Sequence, residues 1–364
     1  MRFNRLKTLF LVGFAWILPH PLLAQSPLSF VIENETFIKN IEREKIRSIE
    51  TSHDLDGQTF IGDIIKPYFS YSVNDRVKIN LGAVVDIEFG DDDDVAEADP
   101  LISLTWDFRP GWRMTAGTLD RDHPLLDAYF DDTLAYEAPV EQGFQLQAET
   151  EHLRQDAWLA WEIEELSDRQ EKLSIGDYTQ FRYRGFTLDG QVYWVHFGGQ
   201  RNSVVGLDNN IGYAFGAGYS TQLDKTGPLE AAGLTAHYLG VWDDTPGRPG
   251  SREEDGILAR AFARIWGTDI WFKYWEGGSA DFDASKGDHL YVTDRFRELG
   301  IERQWKLAER IGLTANIQLQ HVLQYHNDLF LEFLVSVHWL IDFPLAPDYF
   351  AKWRPFGGTP DEQP

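Results

Sequence analysis

From Val77 to Phe89 every second residue is apolar (Val77, Ile79, Leu81, Ala83, Val85, Ile87 and Phe89). Between them stand Lys78, Asn80, Gly82, Val84, Asp86 and Glu88. Near the other end, Leu331, Phe333, Val335, Val337, Trp339, Ile341 and Phe343 alternate with Glu332, Leu334, Ser336, His338, Leu340 and Asp342. Successive side chains of a β-strand point to opposite faces, so each run has one apolar and one largely polar face. The pattern recurs at 60–73, 101–108, 112–119, 143–149, 153–164, 172–186, 191–198 and 210–221. It continues at 231–243, 257–266, 268–276, 289–305 and 311–325. Many such strands in a row, with charge on the polar face and no other core-forming pattern, predict an all-β chain closed into a transmembrane antiparallel up-and-down β-barrel.

The connections carry a second signal. Short ones at Asn74-Asp75-Arg76, Arg109-Pro110-Gly111, Thr150-Glu151-His152, Leu188-Asp189-Gly190 and Gly267-Thr268 alternate with long ones at 90–100, 120–142, 199–209, 244–256 and 277–288. Short turns on one side and long loops on the other are the habit of bacterial outer-membrane barrels. A linker of 222–230 and one of 326–328 depart from it. The runs above number fifteen, and an exported chain needs one more strand to start from the inner side; 28–37 is the candidate. About sixteen strands follow, with fourteen to eighteen allowed if a run is split or merged. Residues 25–55 thus hold a possible first strand and, at 38–52, a loop or plug helix. The barrel proper is 56–343, and the Pro- and Gly-containing 344–364 forms a tail.

Residues 1–24 read as a secretory signal: Arg2, Arg5 and Lys7, an apolar stretch, then Leu22-Leu23-Ala24. Without them 30 Lys and Arg face 58 Asp and Glu, a net charge of −28. That excess excludes nucleic acid as a partner, which needs basic patches. With no cysteine, disulfides, thiolate metal sites and cysteine nucleophiles are excluded. No later run approaches 18 consecutive apolar residues, so helical spans are not expected. Thirteen Trp suit the aromatic girdles at the two edges of a barrel.

The segment ending at Phe343 resembles the C-terminal signal by which outer-membrane barrels are recognised for assembly, although 21 residues follow it here. As a class, 56–343 resembles outer-membrane porin-like barrels. The resemblance implies an outer-membrane location with both termini periplasmic. It also implies contact with outer-membrane lipid and lipopolysaccharide, handling by the barrel assembly machinery, possible homo-oligomers, and no cofactor. The tail is expected to be a loose extension, or to tuck Tyr349, Phe350, Trp353 and Phe356 into the barrel mouth or onto a partner.

The apolar register sends the other face into the lumen. Its best-placed charges are Lys78, Asp86, Glu88, Asp107, Arg113, Arg154, Asp156, Arg182, Arg184, Arg260 and Arg264. They either form selective rings or pair across strands and fill a wet interior. Trp158 and Trp194 also fall on the inferred inner face. On 210–221 the inner face is Gly212, Ala214, Gly216, Gly218 and Ser220, a wall small enough for an infolded loop to pack against.

That loop is expected at 120–142, which has seven carboxylates, one Arg and an apolar cluster of Leu125, Leu126, Tyr129 and Phe130. In general porins the connection at this place folds into the channel and sets the constriction; the likeness is one of position and length. Its constriction candidates are Asp120, Asp122, Asp127, Asp131, Asp132 and Glu137, which would favour cations. Asp91 to Asp94, with Glu97 and Asp99, lack metal-ligand spacing and read as a solvated loop.

No phosphate-binding Gly loop, paired-His zinc motif or nucleophile elbow is present. His237 and His289 lack a Ser-His-Asn partner set, and Asp243-Asp244 reads as loop solvation, so no enzyme is expected. The function implied is diffusion of small hydrophilic solutes through the barrel. The alternatives are an export conduit for a polysaccharide working with a periplasmic partner and, ranked behind it, a structural or enzymatic barrel.

Overall fold

A computed structural model describes residues 27–42, 57–90, 97–166, 169–198, 207–223, 227–244, 251–278, 282–323 and 328–345. Sixteen antiparallel strands close on themselves in sequence order, the first pairing with both the second and the last. They are β1 Leu28–Glu42, β2 Gln58–Asn74, β3 Val77–Glu88, β4 Glu97–Arg109, β5 Trp112–Thr118 and β6 Gln142–Glu149. β7 Leu153–Ile163, β8 Glu171–Tyr183, β9 Phe186–Gly198, β10 Asp208–Gln222 and β11 Leu229–Asp243 follow. β12 Arg252–Ile265, β13 Thr268–Gly277, β14 Arg295–Ala308, β15 Ile311–Val322 and β16 Leu329–Pro344 complete the wall. Closure matters because it leaves no strand edge unpaired in lipid.

The pleat sorts the side chains as the alternation predicts. Leu81, Ile102, Phe144, Phe215, Leu234, Ile257, Phe272 and Ile317 are exposed on the outside. Tight reversals gather at one end, and three of them place residues at positive φ: Gly111, Arg184–Gly185 and Trp266–Gly267. The start of β1 and the end of β16 lie at this turn end, since Ser29 pairs with Pro344. The long connections lie at the other, the loop end.

Three local expectations change. The turn expected at Leu188-Asp189-Gly190 falls at Arg184–Gly185 instead, and those three residues belong to β9. Residues 38–42 continue β1 rather than forming a helix, with Phe37, Lys39 and Ile41 alternating into the lumen; the rest of 38–52 falls outside the described residues. The strand expected from 289 begins at Arg295, because His289–Val292 is a 3₁₀ turn capped by Asp288, whose carboxylate accepts from the Leu290 N–H at 2.8 Å. The signal segment 1–24, the acidic run 91–94 and the tail beyond Leu345 also fall outside the described residues.

The lumen is filled in part by two infolded connections, 119–141 and 282–294, the first carrying a one-turn helix, α1 Leu134–Glu137. They pair with each other: the Asp131 N–H donates to the Lys286 carbonyl and the Asp288 N–H to the Asp127 carbonyl, both at 2.8 Å. Together they bring an apolar core inside the barrel. Tyr129, Phe130, Phe282, Leu290 and Tyr291 pack on Trp158, Tyr193, Leu239, Trp275 and Phe296 of the wall. A smaller cluster sets Tyr136 of α1 against Phe37, Ile64, Val84 and Leu101.

Candidate functional site

Tyr129 shows why the first connection can fold inward. A Cβ on Gly212 would lie 2.2 Å from its ring, so only a glycine leaves room for it. Its hydroxyl donates to the Tyr213 carbonyl at 2.5 Å and accepts from the Gly240 N–H at 3.1 Å, so the buried phenol is satisfied.

Charged clamps hold the rest. Lys273 on β13 reaches Asp127 at 2.6 Å and Glu298 at 3.0 Å. Tyr291 donates to the same Asp127 carboxylate at 2.6 Å, and the Trp271 indole to Glu298 at 2.7 Å. Lys39 bridges Asp132 of the loop and Glu332 of β16, the latter at 2.9 Å. Lys286 pairs with Glu162, which Lys172 also meets at 3.0 Å.

At the foot of the loop His123 is fully enclosed. It donates to Asp156 at 2.8 Å and to Glu141 at 2.9 Å, and its ring lies flat on Trp158 with centroids 3.5 Å apart. Burial opposes charge on this imidazole, but hydrogen bonds to Asp156 and Glu141 outweigh it and hold the ring's pKa above the ordinary histidine value. Asp131 goes the other way: burial, with Asp288 and Asp132 nearby, outweighs the Thr133 N–H and Lys39 and pushes its carboxyl well above the usual range, towards the neutral form.

Three cavities lie in file along the lumen, each sharing lining residues with the next. The loop-end cavity, about 770 Å³, is lined by Asp99, Arg121, Asp131, Glu137, Glu141 and Lys172 among others. The middle one, about 470 Å³, shares Arg121 and Asp131 with it and adds Glu33, Glu35, Lys66 and His338. A turn-end cavity of about 670 Å³ shares Asp120 and Asp122 with the middle one and adds Arg76, Arg109, Arg113 and Arg154. Both junctions are therefore made by the infolded loop.

The residues singled out from sequence scatter along this path. Asp120, Asp122 and Asp131 stand at the junctions and Glu137 lines the loop-end cavity, whereas Asp127 and Asp132 are taken up by lysines. Asp156 is a ligand of His123 rather than a free wall charge. Near the turn end Asp107 pairs with Arg113 at 2.8 Å and Arg264 with Asp269 at 2.7 Å. Arg154 lies 3.8 Å from Glu149, to which Arg182 also bonds. Arg260 lies over Trp271 at 5.3 Å. Asp86 is buried, and Lys78 and Glu88 are exposed near the two ends of β3.

Two placements need correcting. Arg184 is not in the wall but in the β8–β9 turn at φ 49°. Trp194 shares the outer face of β9 with exposed Val192 and Leu188, while Gln191, Tyr193 and Val195 are the buried inner residues. Sequence reasoning missed Lys39, Lys273, Lys286, Glu298 and Glu332, and the second infolded connection. The latter has the same signal as the first: Phe282, Ala284, Leu290 and Tyr291 within a polar loop.

The lipid side holds a further polar group. Asn34, Thr36 and Asp63 lie on the outer face of β1–β2, between exposed Ile38 and Ile61 on one side and exposed Phe69 on the other. The Thr36 hydroxyl donates to the Asp63 carboxylate. The Asn34 amide lies 3.1 Å from Thr36 Oγ1 and 3.3 Å from the Trp339 indole nitrogen. A similar set occurs on β7–β8, where the Asp177 carboxylate accepts from the Gln155 amide at 2.6 Å and from the Thr179 hydroxyl at 3.0 Å.

The closed wall, its apolar outer face and the infolded connection define an outer-membrane β-barrel of the porin-like class. OpdL of Pseudomonas aeruginosa has this fold at a TM-score of 0.53 and 9% identity, over 86% of this chain and 99% of that one. An anion-selective porin from Comamonas acidovorans matches at a TM-score of 0.51 and 9% identity, over 87% of this chain and 100% of that one. These likenesses show the fold alone. No curated protein matches the chain. Residues 21–343 match the family described as lipid A 3'-O-deacylase-type, and the chain belongs to that family. This match overturns the expectation that the chain is no enzyme. That expectation rested on the lack of a familiar motif, and polar groups such as Thr36 and Asp63 meet across strands without leaving any local spacing to find.

Proposed function

We propose that the barrel is a conduit for small polar solutes, constricted by the infolded loop, with its loop end facing outward. The observation that carries this reading is the file of three cavities whose junctions are Arg121–Asp131 and Asp120–Asp122. With Asp127 and Asp132 taken up by lysines and Asp131 pushed towards neutrality, the middle cavity keeps Glu33, Glu35, Asp120 and Asp122 against Lys66 and Arg121. A low-dielectric cleft with that balance concentrates cations. In a planar bilayer under a salt gradient, the folded chain is expected to give a steady conductance with a cation-selective reversal potential. Asp120→Asn with Asp122→Asn should lower the cation-to-anion ratio by up to about tenfold. No conductance from folded protein would sink this reading.

A second reading is favoured by the carboxylate on the lipid face. An ionisable side chain held against hydrocarbon marks a functional site by default, since exposing charge there is costly, about 2–4 kcal/mol near the midplane for Arg or Lys and less for a carboxylate. The family's description supplies the matching chemistry: hydrolysis of an acyl ester of an outer-leaflet glycolipid. Asp63 would polarise the Thr36 hydroxyl or a water, with the Asn34 amide beside it to meet the ester carbonyl. Asp63→Asn is expected to lower release of fatty acid from lipid A about 10²–10⁴-fold, with Asp177→Asn as the matched control. The assignment is wrong if both variants hydrolyse as the native chain does, or if only the control loses activity.

A further inference from the structure

Among the described strand residues, every arginine or lysine facing outward is on β14. The pleat turns Phe296 and Glu298 into the lumen, where both are buried, and leaves Arg295, Arg297, Leu299 and Ile301 exposed outside. Arg303 follows in the same register towards the turn end. In a chain of net charge −25 this is a singular place to find cations.

The register sets what surrounds them. Arg297 stands opposite Tyr274 of β13 and opposite His321 of β15, so the three form one row across the outer wall, two residues below the loop end of β14. The next outward row towards the turn end is Phe272, Leu299 and Leu319, and the one after it Ile270, Ile301 and Ile317. Phe272, Leu299, Leu319, Ile301 and Ile317 are all exposed. Above the cationic row Glu276 faces Arg295, but its carboxylate accepts from the Tyr274 hydroxyl at 3.1 Å. Arg297 and His321 are left without a salt bridge among the described residues. A polar row of two ring-bearing residues and an arginine over two apolar rows has the profile of an amphiphile's head and tail, at the height where interfacial aromatics sit.

We infer that Arg297, with Arg295 and His321, binds the phosphate headgroup of an anionic outer-leaflet lipid whose acyl chains lie along the Phe272–Leu299–Leu319 and Ile270–Ile301–Ile317 rows. Guanidinium groups suit phosphate because they donate two parallel hydrogen bonds, and at the rim they lose little hydration to do so. The site is a lipid dock on the outside of the wall, separate from the lumen and on strands other than β1–β2. It rests only on the loop end facing the outer leaflet, as in the conduit reading.

The test is native mass spectrometry of the full folded chain in detergent, with a diphosphorylated glycolipid, the same lipid dephosphorylated, and inorganic phosphate as probes. The native chain should retain the phosphorylated lipid and not the dephosphorylated one. Arg295→Gln with Arg297→Gln should weaken retention about tenfold or more, Arg297→Lys should keep most of it, and Arg303→Gln at the opposite rim should change nothing. Leu299→Ser with Ile301→Ser should also weaken it, by removing the tail's seat. Each variant is compared at equal folded fraction, judged by circular dichroism of the barrel. Unchanged retention by the double arginine variant overturns the proposal, and so does equal loss with Arg303→Gln. Equal retention of the dephosphorylated lipid, or displacement by inorganic phosphate alone, overturns the lipid assignment. A barrel that binds the lipid yet conducts nothing would count against the conduit and not against this site.

Discussion

Replacing Lys273 by methionine is expected to destabilise the barrel by about 3–5 kcal/mol and to free the infolded loop. The ammonium group bridges two carboxylates, the part-buried Asp127 of the loop at 2.6 Å and the enclosed Glu298 of β14 at 3.0 Å. Methionine keeps the volume but leaves the enclosed Glu298 and the part-buried Asp127 without the lysine's charge, which is the costly half of breaking a buried pair. Burial by itself favours a protonated Asp127; Lys273 and the Tyr291 hydroxyl outweigh it and hold that carboxyl below its ordinary range. A depressed carboxylate gives stability above its unfolded pKa and loses it as the pH falls through the folded one. Once Lys273 is gone Asp127 should titrate high instead, so the defect should be largest near neutrality and shrink in acid. Urea unfolding in detergent at two pH values measures this, and protease cleavage within 119–141 reports the freed loop. Adding Asp127→Asn and Glu298→Gln to Lys273→Met should recover much of the loss, because the triple variant buries no charge. Equal stability of Lys273→Met and the native chain would mean that the clamp is not what holds the loop.

The wall was legible in the sequence for a simple reason: lipid imposes one rule on every strand. A residue facing hydrocarbon must be apolar, so β3 and β16 announce their register with no knowledge of their neighbours. The inner face obeys no such rule. Lys273 in WFKYWEG could be assigned inward by parity, but its meaning depends on Asp127, 146 residues away in sequence. Asp127 and Asp132 were read as free constriction charges for the same reason, since the lysines that occupy them come from β13 and β1. Gly212 was more informative: a run of small inward residues implied a guest, and Tyr129 is that guest. Trp194 was misplaced because the β9 segment 191–198 is apolar on both faces, and the phase of an alternation cannot be read where there is none. The polar trio at Asp63 escaped notice because it breaks the lipid rule itself, and a broken rule looks like noise until the strands are paired.

Raising the pH should loosen the foot of the same loop, and His123 sets the sign. Its two ring N–H groups each meet a carboxylate, a pairing that only the imidazolium can satisfy in full. With its folded pKa raised above the unfolded value, the histidine contributes all of its stabilisation below the ordinary value of about 6.5 and loses it as the pH climbs through the raised one. Glu141 sets the acid limit: burial resists its charge, but the bond to His123 outweighs burial and holds the carboxyl below its ordinary range. Its contribution is present above the unfolded value and vanishes as the pH falls through the depressed one. The clamp is therefore whole from the depressed Glu141 value up to the raised His123 value, and on the alkaline side it fails as the pH crosses the latter. Each charge-assisted bond contributes about 1.5–3 kcal/mol, so losing the proton should convert a closed loop into one that opens at measurable frequency. In bilayer recordings the native chain should show conductance steps that grow more frequent with rising pH. His123→Gln, whose amide cannot be a cation, should show the open-loop behaviour at every pH and no such step in its profile. A native profile that is flat across the same range, or a His123→Gln channel that keeps the alkaline step, would place the gate elsewhere, and the Lys273 clamp would then be the part of the loop to follow.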